Sequence, residues 1–412
     1  MKRRMLLTVL VLILSSTAGA ENWPGWRGPS GMGISSETNL PVEWSKAKNV
    51  RWKVELTGAG VSTPVVWKDR VFLTASDGRL NDRLHVFCYH RADGKLLWHS
   101  KFFGTAPTDL FAPGGMAVPT PVTDGKHLFT LFGTGDLMCL DFAGKPVWIR
   151  SLAQEYGPFR NRWGMGTSPI LVGDNLIVQV DHWSQSYLLC VDAKTGANRW
   201  KTDRDSSVNW SSPLAVKFKD HEELIVLGTY RAMGYDLGTG SERWHVRGMG
   251  MQCIPSPIVE GNRLVAASGE NTMAIKLDGK SGNLTDSNVL WINKKAAAYL
   301  PSPVLYKGLV YIAGDRGINT CLDAAKGTVV WKKRLGDQYY ASPVAGDGKV
   351  YFPSKEGIVY VVKAGPQYEV LAKNDMGEGI VASLAISDGQ IFLRGEKHLF
   401  CIGTPKASQE RK

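Results

Sequence analysis

Asp203, Asp205, Ser207 and Asn209 alternate along the chain as the first oxygen ligands of a calcium loop do. Such a loop also needs a glycine at its sixth position, for a sharp turn, and a bidentate glutamate at its twelfth. Those positions hold Val208 and Leu214, so the segment reads as a solvated loop and no metal site is expected. The sequence has no Gly-x-Ser-x-Gly elbow, no Walker loop, no His-Glu-x-x-His zinc helix and no Cys-x-x-Cys pair. No catalytic residue can be assigned from motifs.

The six cysteines are the next reactive groups, and their positions lead to the architecture. Cys139, Cys190 and Cys321 each precede a Leu-Asp or Val-Asp, and Cys88 and Cys401 occupy equivalent places in a repeating unit. Equivalent positions on neighbouring units of packed sheet lie about 10 Å apart, beyond the roughly 7 Å over which a disulfide can close. They read as buried small apolar residues rather than bridges. Cys253 lies outside this register.

The repeat itself is set by tryptophans. Trp52, Trp98, Trp148, Trp200, Trp244, Trp291 and Trp331 are separated by 46, 50, 52, 44, 47 and 40 residues. A period in the forties carried by short strands and glycine turns is the signature of a β-propeller. A second marker runs in register with the first: a hydroxyl residue before proline at Thr63, Thr120, Ser168, Ser212, Ser256, Ser302 and Ser342, with a copy lacking the proline at Ser383. Each marker precedes four apolar strands separated by turn residues. The fold expected is all-β, an eight-bladed β-propeller of four-stranded antiparallel blades over residues 50–403. The last unit has three strands and the chain start, Val50 to Leu56, has one, so the N-terminal strand should close the ring and leave no open edge at its seam. A seven-bladed ring follows instead if the last unit is not a blade.

Residues 1–20 read as a secretory signal peptide, with Lys2, Arg3 and Arg4, an apolar stretch from Met5 to Leu14, and Ala18-Gly19-Ala20 as the cleavage site. The apolar stretch is too short for an ordinary membrane-spanning helix, so no transmembrane segment is expected. No cysteine follows the cleavage point, and a periplasmic or secreted location is expected. Residues 21–49 form an extended leader that packs on the propeller, and 404–412 a basic tail. The formal charge of +11 falls to +8 when the three basic residues of the signal leave. The basic residues are spread along the blades, whereas nucleic-acid binding needs a clustered stripe, so no nucleic-acid partner is expected. A monomer is expected.

Alternating strand direction puts the short, repetitive turns on one face and the irregular inter-blade connections on the other, where a scaffold carries function. The connections bring Arg160, Arg162, Trp163, Asn209, Trp210, Gln252, Tyr299 and Tyr340 to the rim of the central channel. Turns on the same face add His182, Trp183, Arg231, Glu270, Arg316 and Lys355. Aromatic and arginine residues around a mouth have the composition of a binding surface. The aromatics pack against the leader instead if residues 21–49 fold over this face.

The segments Asp192 to Trp200, Asp236 to Trp244 and Asp323 to Trp331 follow Asp-x-x-x-Gly-x-x-x-Trp, mostly with threonine before the glycine. They resemble the tryptophan-docking motif of the pyrroloquinoline quinone (PQQ) repeat, which builds the quinoprotein alcohol dehydrogenases and BamB. The segments ending at Trp98, Trp148 and Trp291 match more loosely, the last with an insertion, and the resemblance covers residues 50–403. The leader motif Trp23-Pro24-Gly25-Trp26-Arg27-Gly28-Pro29 resembles one found in secreted bacterial proteins of this repeat class. The resemblance implies structural docking roles for the seven tryptophans. In the dehydrogenases PQQ lies between a tryptophan and a disulfide of adjacent cysteines, beside a calcium ion; this chain has no adjacent cysteine pair. No cofactor is therefore expected. Two functions remain open. One is a non-enzymatic exported scaffold that binds an envelope protein, peptide or polymer through the rim. The other is a PQQ- or small-molecule-binding propeller with dehydrogenase-like activity.

Overall fold

The computed structural model describes residues 21–106, 114–160, 163–205 and 207–403. The expected signal peptide, the basic tail and Arg162 lie outside the described residues. Eight antiparallel sheets follow one another around a ring. Blade six is representative, with strands Val304–Tyr306, Leu309–Ile312, Ile318–Asp323 and Val329–Arg334. Blade eight takes its outermost strand from the N-terminus: Val50–Glu55 pairs antiparallel with His398–Ile402, with Trp52 opposite Cys401. The ring is closed as the repeat count requires.

The second and third strands of each blade are apolar at nearly every position because both their faces are covered. In blade three, Leu176, Val178 and Val180 pack toward blade two. The intervening Ile177, with Leu188 and Cys190, packs toward blade four. Full burial of each such side chain contributes about 1.5–3 kcal/mol, so the core is a set of inter-blade layers rather than one central mass.

Docking of the tryptophans ties the layers together. The indole Nε1 groups of Trp52, Trp98, Trp148, Trp200 and Trp291 donate to the carbonyls of Arg91, Phe142, Ala193, Leu237 and Ala324 in the next blade, at 2.7–3.0 Å. Trp331 reaches Gly365 at 3.4 Å. The motif glycines of blades one to four and six lie under the preceding blade's ring: a Cβ on Gly94, Gly144 or Gly196 would stand 2.7–2.8 Å from Trp52, Trp98 or Trp148. The motif aspartate closes the same turn, as Asp192 Oδ1 does by accepting the backbone N–H groups of Lys194 and Thr195. Trp244 departs from the pattern. Its Nε1 donates within its own blade to the buried Glu223, at 2.7 Å. The insertion before Trp291 supplies Gly282–Asn283, a short parallel strand on the outer edge of blade four.

The hydroxyl-proline marker forms an inner belt. Backbone N–H groups of Thr63, Thr120, Ser168, Ser212, Ser256, Ser302 and Ser342 each donate to the marker hydroxyl of the following blade, at 2.9–3.2 Å. Converging inner strands cannot form a continuous ladder, so side-chain oxygens satisfy these N–H groups. At the seam, Thr63 Oγ1 is buried without a hydrogen-bond partner among the described residues.

All six cysteines are buried and unbridged. Five of them stand opposite a docking tryptophan across strands three and four, in the pairs Cys88–Trp98, Cys139–Trp148, Cys190–Trp200, Cys321–Trp331 and Cys401–Trp52. A β-bulge interrupts the register beside each pair, which frees the larger ring to turn toward the next blade.

The leader crosses the face of the short first-to-second-strand turns. Trp23 pairs through its backbone with Val66, and Gly33 and Ser35 bond to Ala345. Glu37 accepts the backbone N–H groups of Asp388 and Gly389. These anchors put residues 23–37 on the face opposite the irregular connections, while Trp44 bonds Asn374 and Met376 at the far end of blade seven's outer strand. The leader's route also brings Trp26 and Arg27 into the channel. Trp26 Nε1 donates to Ser256 Oγ at 3.0 Å. Arg27 donates to the carbonyls of Met32, Ser302 and Pro303.

Candidate functional site

At the mouth of the channel, on the irregular face, lies a cavity of about 470 Å³. Its wall has an eightfold logic. The residue two places before each marker hydroxyl lines it: Val61, Val118, Gly166, Trp210, Ile254, Leu300, Tyr340 and Val381. Inner strands enter the channel in the same direction, so one register position per blade points to the same place. Trp26 of the leader reaches the cavity from below, and Ser168, Ser302, Ser342 and Ser383 of the belt line its base. Each of these serine hydroxyls accepts an N–H of the preceding blade.

Five rim residues expected from sequence come together here: Trp163, Trp210, Gln252, Tyr299 and Tyr340. Trp163, Tyr299 and Tyr340 are exposed by 49%, 41% and 37%, so their rings stand open around the mouth. Trp210 is fixed by its Nε1 donating to the Gly164 carbonyl at 2.8 Å. Gly166 makes room for it, since a Cβ there would lie 2.9 Å from the indole. Tyr299 donates its hydroxyl to Gln252 Oε1 at 3.1 Å. Lys355 stands over the Tyr340 ring at 5.1 Å and donates to Gln338.

The remaining expected residues lie elsewhere. Asn209 is fully buried, and its Oδ1 accepts the Cys253 N–H at 2.7 Å, so it joins two inter-blade connections instead of presenting itself to a ligand. His182 is buried as well, with Nδ1 bonded to Ser184; burial, partly offset by Asp181, lowers its pKa. Trp183 is exposed beside it, over a separate depression bounded by Asp203, Arg204 and Asp205. Arg160 is exposed, and its carbonyl accepts the Trp183 N–H. Arg231 holds the Asp205 carbonyl at 3.0 Å, and Glu270 accepts the Met251 N–H at 3.3 Å; both brace loops. Arg316 belongs to a third depression, between blades five and six.

The segment with calcium-loop spacing is organised around Arg204. That guanidinium forms a buried bidentate pair with Asp181, at 3.0 and 3.1 Å, and donates to the Tyr235 hydroxyl. Asp203 pairs with Lys201, and the Asp205 carboxylate is fully solvent-exposed. Asp203 thus serves another partner and Asp205 faces solvent. Among the described residues no three His, Cys, Asp or Glu side chains are grouped to hold a metal ion.

Sequence reasoning missed Trp26 and the small apolar residues of the wall. The signal for the latter was present, because the belt marker fixes the position two residues upstream in every blade. Trp26 carried no such signal, as nothing in the leader's sequence says that it threads the channel.

PQQ is a tricarboxylate quinone, and its pocket must supply cations or a bound metal. The described lining residues are aromatic, aliphatic, serine, glutamine or glycine, with no charged group and no cysteine. That donor set does not fit the cofactor.

Fold, belt and docking tryptophans define a β-propeller of the PQQ-repeat class. The family described as "Outer membrane protein assembly factor BamB" matches residues 82–333 and 285–371, and the chain belongs to it. No curated protein matches the chain. Among solved structures, BamB from Moraxella catarrhalis is similar at 14% identity and a TM-score of 0.64, over 87% of this chain and 98% of that one. A europium-containing methanol dehydrogenase aligns at 10% identity and a TM-score of 0.70, over 93% and 98%. The quinohemoprotein alcohol dehydrogenase of Comamonas testosteroni aligns at 13% and 0.69, over 95% and 82%. At such identities the likeness is one of fold, shared equally by scaffold and enzyme.

Proposed function

We propose that this protein is an exported, non-enzymatic scaffold of the bacterial cell envelope, which holds a protein or peptide partner at the channel mouth. The observation that carries this reading is the aromatic-ringed cavity, whose described lining is uncharged. An apolar or aromatic side chain entering it would lose water on all sides against Trp163, Trp210 and Tyr340, the usual anatomy of a binding hot spot. The quinoprotein alternative shares the fold but needs a charged pocket, which the described lining lacks. Periplasmic or secreted location, a monomeric state and the absence of nucleic-acid and cofactor partners belong to the same proposal. Consistent with it, no helix among the described residues is long and apolar enough to cross a membrane.

The test has two arms. Purified protein is titrated with PQQ and calcium while absorbance and melting temperature are followed; no shift is expected, and a saturable shift would revive the enzyme reading. In parallel, envelope proteins retained by the wild type are compared with those retained by a Trp163→Ala/Trp210→Ala/Tyr340→Ala variant. Loss of a specific partner is expected; an unchanged set rejects the channel mouth as the binding site.

A further inference from the structure

Beside the central cavity, on the same face, a depression of about 370 Å³ runs between blades five and six. Lys294, Lys295, Arg316 and Lys332 line it, with Asp315 as its one acidic residue. All four cations are exposed. None of them ion-pairs with a carboxylate among the described residues, although Lys194, Lys349, Lys363 and several arginines do so elsewhere on the surface. Lys332 Nζ instead donates to the backbone carbonyl of Lys295 at 3.0 Å, which anchors its ammonium in the wall of the depression. Four cations against one carboxylate leave a net positive potential that attracts an anionic partner.

Tyr299 forms a wall of both this depression and the central cavity. The two sites are therefore continuous around one ring. We infer that they form a single groove for an acidic peptide segment, with an apolar side chain seated in the cavity and the neighbouring carboxylates over Lys294, Lys295, Arg316 and Lys332. This inference rests on the proposed role of the channel mouth and adds the chemistry of the partner. The four cations lie between blades five and six, so the segment would leave the cavity in that direction.

The experiment uses a short fluorescein-labelled peptide in which glutamates flank a single leucine, with a counterpart carrying glutamine for glutamate. Fluorescence anisotropy is followed against the purified chain at low and physiological salt. The glutamate peptide should bind at least about tenfold more tightly than its counterpart, and lose that advantage as salt rises. A Lys294→Gln/Lys295→Gln/Lys332→Gln variant, altered only at exposed side chains, should lose the advantage and keep the wild-type melting temperature. Equal binding of both peptides, abolished by the Trp163/Trp210/Tyr340 variant, would overturn the groove inference and leave the channel-mouth proposal standing. Binding of neither peptide would overturn the inference. So would capture by the basic cluster of a soluble acidic polysaccharide but not of the glutamate peptide, since the occupant would then be a glycan.

Discussion

Trp244 faces Gly234 across the third and fourth strands of blade four, where most other blades set a cysteine against the docking tryptophan. The glycine decides where the indole goes. A Cβ on Gly234 would collide with Trp244 Nε1 and Cε2. Without one, the ring settles over its own blade and donates to Glu223, a fully buried carboxylate that also meets His221 at 2.6 Å and Arg243 at 3.1 Å. The next blade has lost the turn on which Trp244 would dock, because the insertion ending at Trp291 replaces it. Gly234, Glu223 and the added strand at Gly282–Asn283 thus form one local solution to a missing contact.

Replacing Gly234 by alanine should be destabilising by about 1–3 kcal/mol, the usual cost of overpacking. The loss should fall at the upper end of that range, because displacing the indole also removes one of the donors to the buried Glu223. Thermal melting of Gly234→Ala against wild type measures it. An unchanged melting temperature would mean that the ring has room elsewhere.

The serine belt gives a paired test. Ser212→Ala removes the acceptor for the Ser168 N–H, which donates to it at 2.9 Å, and should cost about 1–3 kcal/mol. Thr63→Val removes a buried hydroxyl that has no partner among the described residues, and should be neutral or slightly stabilising. Chemical denaturation of both variants compares them on one scale. Equal losses would sink the account of the belt as a chain of directed bonds with a seam at Thr63.

Blade number, strand count and ring closure were legible in the sequence because each blade repeats the same contacts. Trp200 and Cys190 face each other for the same reason as Trp98 and Cys88, and a repeated cause leaves a period. The candidate site was legible only in part. Trp210 and Tyr340 are placed by the register of the inner strands, two residues before the belt hydroxyl, which the marker reveals. Asn209 and His182 look like rim residues by position, yet are buried, because loop conformation decides which side chains of an irregular connection turn outward. Trp26 was illegible for a different reason: its contacts are with residues more than two hundred positions away, such as Ser256, and occur once.

The cysteines should be chemically silent in the native protein. Burial pushes the thiols of Cys88, Cys139, Cys253, Cys321 and Cys401 up to about 12 and that of Cys190 to about 11. Thiolate is the reactive form, so neither alkylation nor disulfide exchange should proceed at neutral pH. Mass spectrometry after iodoacetamide should find an unmodified native chain and, after denaturation without reductant, all six cysteines labelled. Native labelling of any third-strand cysteine would contradict the inter-blade packing.

Acidification should destabilise the fold before any carboxylate is involved. His99 lies below the ordinary imidazole value of 6.5, chiefly through burial, with the charges of His85 and Lys101 adding to it and Asp77 opposing it. His182 is lowered by burial too. A base whose pKa is depressed by folding binds fewer protons in the native state than in the unfolded one. Its contribution is intact above 6.5 and is lost as pH falls through that value toward the folded one. Depressed carboxylates such as Asp192, held at about 2 by Arg199 and the turn N–H groups, act only below their ordinary value of 3.8 and leave this window untouched. The melting temperature should therefore drop between about pH 7.5 and pH 5.5. A His99→Gln/His182→Gln variant should show a shallower drop over the same range, even if its stability at neutral pH is lower. Parallel pH profiles for the two proteins would show that these histidines do not set the slope.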